Sequence, residues 1–194
     1  MINHIGTQPI KTERLVLRKF TLDDIPGAYE KWTSCADSDF WEPTHKDIEE
    51  TKKVITEYVQ NYSKPDWYMW AVEYNHELIG LVCGNEINEE FTRICLGYCI
   101  TKSQRNKGFT TEACKKLIKY FFNIGFNRVF SMHNPLNPAS GRVMQKCGMQ
   151  YEGLIRGGSL RHGEICDCLQ YAILKSDIIE KNEDTAVNVG KTIA

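Results

Sequence analysis

The chain has 194 residues, with 24 Lys and Arg against 25 Asp and Glu, a net charge of -1. Apolar residues at 42% and charged residues at 25% are the balance of an ordinary folded domain and argue against disorder. A charge so near zero gives no electrostatic reason to expect DNA or RNA as partner, and no apolar run approaches the roughly 20 residues that span a bilayer.

The start, Met1-Ile2-Asn3-His4-Ile5-Gly6, lacks the charged head and long apolar core of a signal peptide. The expected location is therefore cytoplasmic, and residues 1–12 read as a loose leader. Residues 14–18 alternate and predict a first strand. Thr21-Leu22-Asp23-Asp24 is a capped helix start with Thr21 as N-cap, and this helix runs to about residue 32. A polar, aromatic loop follows, with Phe40, Trp41, Glu42 and His45. A second helix fits residues 47–62, where Ile48, Val54, Ile55, Tyr58 and Val59 form an apolar stripe.

Residues 67–74, 77–85 and 93–101 then predict three strands, the first two joined at a tight Asn75-His76 turn. After a basic loop over residues 102–107, the period becomes helical from 108 to about 123. Another strand covers 128–133, and a short helix covers 139–147 and stops at Gly148. Residues 149–154 and 164–174 predict an antiparallel pair joined by a glycine-rich segment. The order is that of an α+β protein, with a mixed, mainly antiparallel central sheet flanked by helices. Residues 1–175 form one domain in this reading, and 176–194 a polar C-terminal tail. Of the eight cysteines, most read as small buried hydrophobes, since the chain is long enough to build a core without disulfides. The usual ligand pairs of a zinc site are absent, so no metal is expected.

Two segments carry chemistry. In Arg105-Asn106-Lys107-Gly108-Phe109-Thr110-Thr111-Glu112-Ala113, a glycine at the strand-to-helix turn lets backbone approach a ligand. The unpaired amides of the helix start favour a phosphate or diphosphate, and Arg105 and Lys107 add positive charge. An ordinary solvated connection explains the bare spacing equally well, and Glu112 suits the positive helix end as a cap. In the second segment, Asn137 and Ser140 lie one helical turn apart, placed to hydrogen-bond a polar arm such as pantetheine or simply to cap the helix.

Together these segments resemble the GNAT superfamily of N-acetyltransferases. Arg105-x-x-Gly108-x-Thr110 is similar to its acyl-CoA diphosphate loop, and Asn137-x-x-Ser140 with Lys146-Cys147-Gly148-Met149 to its Asn-x-x-Ser…Lys-x-Gly-Phe segment. Thr12-Glu13-Arg14-Leu15-Val16-Leu17-Arg18, Gly80, Gly97-Tyr98 and Gly108-x-x-x-Glu112-Ala113 resemble the branch of ribosomal-protein N-terminal acetyltransferases. The resemblance spans residues 10–175. It implies the acyl-CoA N-acyltransferase fold and transfer of an acetyl group from acetyl-CoA to a primary amine by direct attack in a ternary complex. The most specific acceptor it implies is a protein N-terminal α-amine. A small polyamine, amino acid or aminoglycoside, or a non-catalytic acyl-CoA-binding protein, are the alternatives. A homodimer is common in the superfamily.

By the same resemblance, Tyr98, Cys99 and Ile100 would pair with the pantetheine arm. Arg105, Asn106, Lys107, Gly108, Phe109, Thr110 and Thr111 would line the diphosphate. Asn137 would bind the arm, and Ser140 would serve the departing thiolate. Two departures stand out: Thr110 replaces a small residue and crowds the backbone near phosphate, and Met132 stands where some members carry a glutamate base. Glu86 is then the first candidate base, with His133 and Glu152 as further options. Trp41, Glu42 and His133 are candidate acceptor-binding residues, because acidic groups among aromatics attract a cationic amine.

Overall fold

The computed structural model describes residues 1–33, 44–161 and 163–178. The expected acceptor residues Phe40, Trp41 and Glu42, together with Cys35, lie outside the described residues. Twelve elements follow in order: β1 (Ile10–Lys11), β2 (Val16–Arg18), α1 (Ile25–Ala28), α2 (Ile48–Asn61), β3 (Tyr68–Tyr74), β4 (Glu77–Asn88), β5 (Arg93–Ile100), α3 (Phe109–Asn123), β6 (Arg128–His133), α4 (Pro138–Lys146), β7 (Gln150–Arg161) and β8 (Glu164–Leu174). The strands form one sheet in the order β1-β2-β3-β4-β5-β6-β8-β7. Among the described residues every pairing is antiparallel except β5 with β6.

Alternation along the strands gives each face its own core. One face packs on α3: Trp70, Val72, Ile79, Val82, Ile94 and Leu96 meet Phe109, Leu117, Phe121 and Phe126. The opposite face packs on α1 and α2, where Ala71, Leu81 and Cys83 meet Phe20, Ala28 and Ile55. A third, smaller cluster of Cys95, Phe130 and Ala172, with Met132 against it, continues that second face beyond the helices.

The structure differs from the sequence reading in three places. The leader is not loose. Ile2, Thr7 and Ile10 are buried, and β1 extends the sheet. The Thr7 hydroxyl donates to the Trp67 carbonyl at 2.8 Å, and the Trp70 indole N–H donates to the Gln8 carbonyl at 2.6 Å. These ties are long-range, so no local periodicity announced them. The first helix is broken into a 3-10 turn (Leu22–Asp24), one turn of α-helix and a π turn (Tyr29–Thr33). Pro26 sits at its start and removes an amide donor. Finally, the glycine-rich segment before residue 164 is not a connection but the outer half of β7, with irregular register where its glycines fall.

Trp70 is fully buried and ties the N-terminal segment to the sheet. Replacing it with Phe keeps most of the ring but strands the Gln8 carbonyl. The expected result is a loss of about 1–3 kcal/mol in urea unfolding and faster proteolysis before residue 10. Unchanged proteolysis would show that the segment is held by other contacts.

Candidate active site

The pairing of β5 with β6 stops early. Arg93, Ile94 and Cys95 register with Arg128, Val129 and Phe130, and beyond them the strands part. The Ser131 hydroxyl, donating to the Leu96 carbonyl at 2.7 Å, sits in the fork. Backbone groups alternate in direction along a strand. Leu96 faces β6 through that bond, whereas the Thr101 amide donates to the Ile79 carbonyl on the β4 side at 2.8 Å. Tyr98 and Ile100 share the parity of Leu96, so their amides and carbonyls point into the gap. An extended amide-bearing chain fits there as a surrogate strand. Cys99, expected to join them, turns its backbone to β4 instead. Its side chain packs on the α2 face, where burial pushes the thiol up to about 11.

At the open end of the gap, β5 leads through a 3-10 turn (Lys102–Gln104) into the loop that starts α3. Asn106 and Gly108 adopt left-handed backbone, at φ 63° and 82°. Gly108 is the N-cap, so no side chain occupies the space before the first amides of α3. Arg105, Asn106 and Lys107 are exposed, Thr110 and Thr111 half-buried. Phe109 contributes its amide only. Its ring is buried, 4.5 Å from the Tyr74 ring. The loop therefore offers main-chain donors, a helix start and two cations, a set that fits a diphosphate.

α4 closes the other side of the gap. Asn137 is its N-cap and accepts from the Ser140 amide at 3.3 Å, so the capping role is filled. The Ser140 hydroxyl lies 2.9 Å from the Tyr98 hydroxyl, which also donates to the Ser140 carbonyl at 3.0 Å. Burial drives the Tyr98 phenol far above its ordinary range, so it stays a proton donor. This pair bridges β5 and α4 across the mouth of the fork. The sequence reading used Tyr98 for its backbone alone. Its hydroxyl partner lies 42 residues away, and no spacing rule connects the two.

His133 is buried beside α4. It is only 7% exposed, on the α4 face of the sheet, with Nδ1 2.8 Å from the Asn134 carbonyl and its ring 5.7 Å from that of Tyr171. A Cβ on Gly141 would lie 2.6 Å from its Nε2. His133 thus packs beneath the first turn of α4 and supports it. Glu152 is likewise engaged. Arg128 grips it with both terminal nitrogens and Gln170 donates to it, and the Arg128 guanidinium first of all holds its carboxyl below the usual range. A carboxylate so stabilised is a poor base.

Glu86 is exposed at a bulge in β4 where its φ is 46°. Beyond the dominant effect of burial, its charge helps raise the Cys95 and Cys168 thiols, so it lies near the third cluster. Met132 packs against that cluster, its sulfur 3.5 Å from the Cys168 sulfur. Of the remaining aromatics, Trp70 is core, and Trp67 is half-buried with its ring 6.2 Å from that of Tyr58. His45 Nδ1 lies 2.8 Å from the Thr51 hydroxyl. The seven described cysteines are free thiols. Among the described residues no cluster of three or more His, Cys, Asp or Glu is placed to hold a metal.

A mixed sheet forked at its one parallel pair, with a glycine-capped helix at the mouth, defines the class of acyl-CoA N-acyltransferases. Residues 14–150 match the family described as Acetyltransferase (GNAT) domain, so the chain belongs to that family and is an acetyl-CoA-dependent N-acetyltransferase. The "Uncharacterized N-acetyltransferase p20" of Bacillus licheniformis is 27% identical over 175 residues, 88% of this chain and 98% of that protein. The "Putative ribosomal N-acetyltransferase YdaF" of Bacillus subtilis is 26% identical over 148 residues, 76% of this chain and 78% of that protein. A solved GNAT acetyltransferase from Bacillus anthracis superposes with a TM-score of 0.76 at 27% identity, covering 87% of this chain and 99% of that one.

The Glu152 carboxyl is held below its ordinary value of about 4.3. Its contribution to stability is therefore complete above that value and fades as the pH falls through the lowered one. Thermal melting of Glu152→Gln is expected to converge on the wild type on acidification below about pH 4 and to lie under it at pH 7. Parallel curves across that range would remove Glu152 from the acid transition.

Proposed function

We propose that this chain acetylates the α-amine of a protein N-terminus, within one domain spanning residues 1–175 and in the cytoplasm. The observation that carries the site assignment is the open edge at Tyr98 and Ile100 leading directly to the Gly108-capped start of α3. Acetyl-CoA supplies the activated acetyl thioester. Tyr98 and Ile100 hold its arm through main-chain bonds, and the amides of residues 106–111, with Arg105 and Lys107, hold its diphosphate.

Ser140 donates a hydrogen bond to the leaving sulfur when the buried Tyr98 phenol turns its single proton from the Ser140 carbonyl to the Ser140 hydroxyl oxygen, which frees the serine proton. Asn137 keeps that hydroxyl in place by capping α4. Glu86 takes the proton of the incoming amine through solvent, from the face shared by Cys95, Met132 and Cys168. An α-amine of pKa about 7.7–8.0 is roughly a tenth neutral at pH 7, whereas a lysine at about 10.4 is about 0.04% neutral. A solvated carboxylate therefore suffices for the first and not for the second. Trp41 and Glu42, on the chain before α2, are proposed to meet the acceptor. The similarity to a protein named as a ribosomal N-acetyltransferase supports this choice of acceptor.

Two experiments check the proposal. Thiol release from acetyl-CoA is measured against N-terminal peptides, polyamines and aminoglycosides. Turnover with peptides alone is expected, and turnover confined to a small amine would replace the acceptor. Ser140→Ala is expected to lower kcat about a hundredfold with little change in acetyl-CoA affinity, and Tyr98→Phe to lower kcat by a smaller factor in the same direction. Equal kcat in Ser140→Ala would remove the donor role.

A further inference from the structure

Arg14 reaches the α3 loop from the connection between β1 and β2. Its Nε donates to Glu112 Oε2 at 2.7 Å, and its Nη1 donates to the Lys107 carbonyl at 3.0 Å. Its guanidinium carbon lies 4.5 Å over the centre of the Phe109 ring. A Cβ on Gly108 would sit 3.4 Å from Nη2. One side chain from the far edge of the sheet thus touches Lys107, Phe109 and Glu112 and lies beside Gly108. Glu112 completes the arrangement: its Oε1 accepts from the Thr12 hydroxyl at 2.6 Å and from the Arg14 amide at 2.9 Å. A residue whose bare sequence position suits a helix cap has both oxygens occupied by another segment.

The bond to the Lys107 carbonyl bears directly on the loop. The Lys107 carbonyl and the Gly108 amide belong to one trans peptide and point in opposite directions. Fixing the carbonyl on Arg14 turns the Gly108 N–H to the opposite side of the loop. Gly108 adopts its left-handed backbone freely, and Asn106 adopts it at a modest cost, so a tie on the carbonyl between them fixes the orientation of the turn rather than offsetting strain. The charge of Arg14 is met by Glu112, so its effect comes through geometry and not as a free cation. Its planar fork engages a carboxylate, a carbonyl and a ring at once, which the point charge of a lysine does not reproduce.

The geometry points to a clasp: Arg14, locked by Glu112, is a positioning residue that presets the residue 105–111 loop for the diphosphate of acetyl-CoA. This inference rests on the reading of that loop as the diphosphate site. The full chain is titrated calorimetrically with CoA and with pantetheine, which lacks the diphosphate. Arg14→Met and Arg14→Lys are each expected to weaken CoA about tenfold, the scale of one charge-assisted hydrogen bond, and to leave pantetheine unchanged. Arg14→Lys preserves most of the stem and covers the case in which Arg14→Met fails to fold. Restoration of wild-type CoA affinity by Arg14→Lys would reduce the role to charge and overturn the clasp. Equal weakening of CoA and pantetheine would overturn it as general disruption. Gly108→Val separates the two readings. If it weakens CoA while Arg14→Met does not, the clasp falls and the loop stands, and if neither weakens CoA, the loop assignment itself falls.

Discussion

The whole site depends on one interrupted pairing. β5 and β6 are parallel for three residue pairs and then diverge, leaving main-chain donors and acceptors of Tyr98 and Ile100 facing a gap. Backbone polar groups near a core are costly without partners, so a fork of this kind is an invitation to a ligand that presents its own amides. The sheet tolerates the fork because each strand is secured on its other side, β5 by β4 and β6 along its full length by β8. The core on the α3 face runs continuously beneath it. The gap is a local exception in a sheet that is otherwise fully paired at that level.

The elements around the fork divide the chemistry between the two faces. On the α4 face, His133 fills the space that Gly141 leaves, and the helix start it supports carries Ser140 up to Tyr98. On the α2 face, Cys95, Phe130, Met132 and Ala172 make a small apolar floor with the exposed Glu86 beside it. His133 and Glu86 are both candidates for one proton path, yet His133 is buried against α4 whereas Glu86 is exposed at the β4 bulge. Glu152 shares the α2 face with Glu86 but is held by Arg128 and Gln170, while Glu86 stays in solvent.

The loop over residues 105–111 illustrates how distant segments hold a turn. Asn106 and Gly108 are residue types that accept left-handed backbone, so local propensity permits the turn, while its orientation is set by contacts from elsewhere. The ties come from Arg14 and Thr12, about a hundred residues earlier in the chain. The short β1 and β2 strands at the sheet edge therefore do more than lengthen the sheet; they bring the β1–β2 connection against the start of α3.

The sequence by itself determined the order and kind of nearly every element, because periodicity, capping residues and turn glycines act over a few residues. The stripe of α2 with Asp47 at its start, the Asn75-His76 turn, the glycine before α3 and the stop at Gly148 are all local statements, and the structure agrees with them apart from Ile48, which is exposed. The resemblance carried by residues 105–113 and 137–149 led to the right family for the same reason: those motifs are contiguous. What only the tertiary structure decided is everything that depends on which face a side chain occupies or on contacts between distant segments. The burial of Ile2, Thr7 and Ile10, the Tyr98–Ser140 pair, the packing of His133 against α4 and the Arg14–Glu112 contact are of this kind. Such pairings are set by how the sheet stacks its layers, and no short window of sequence contains both partners.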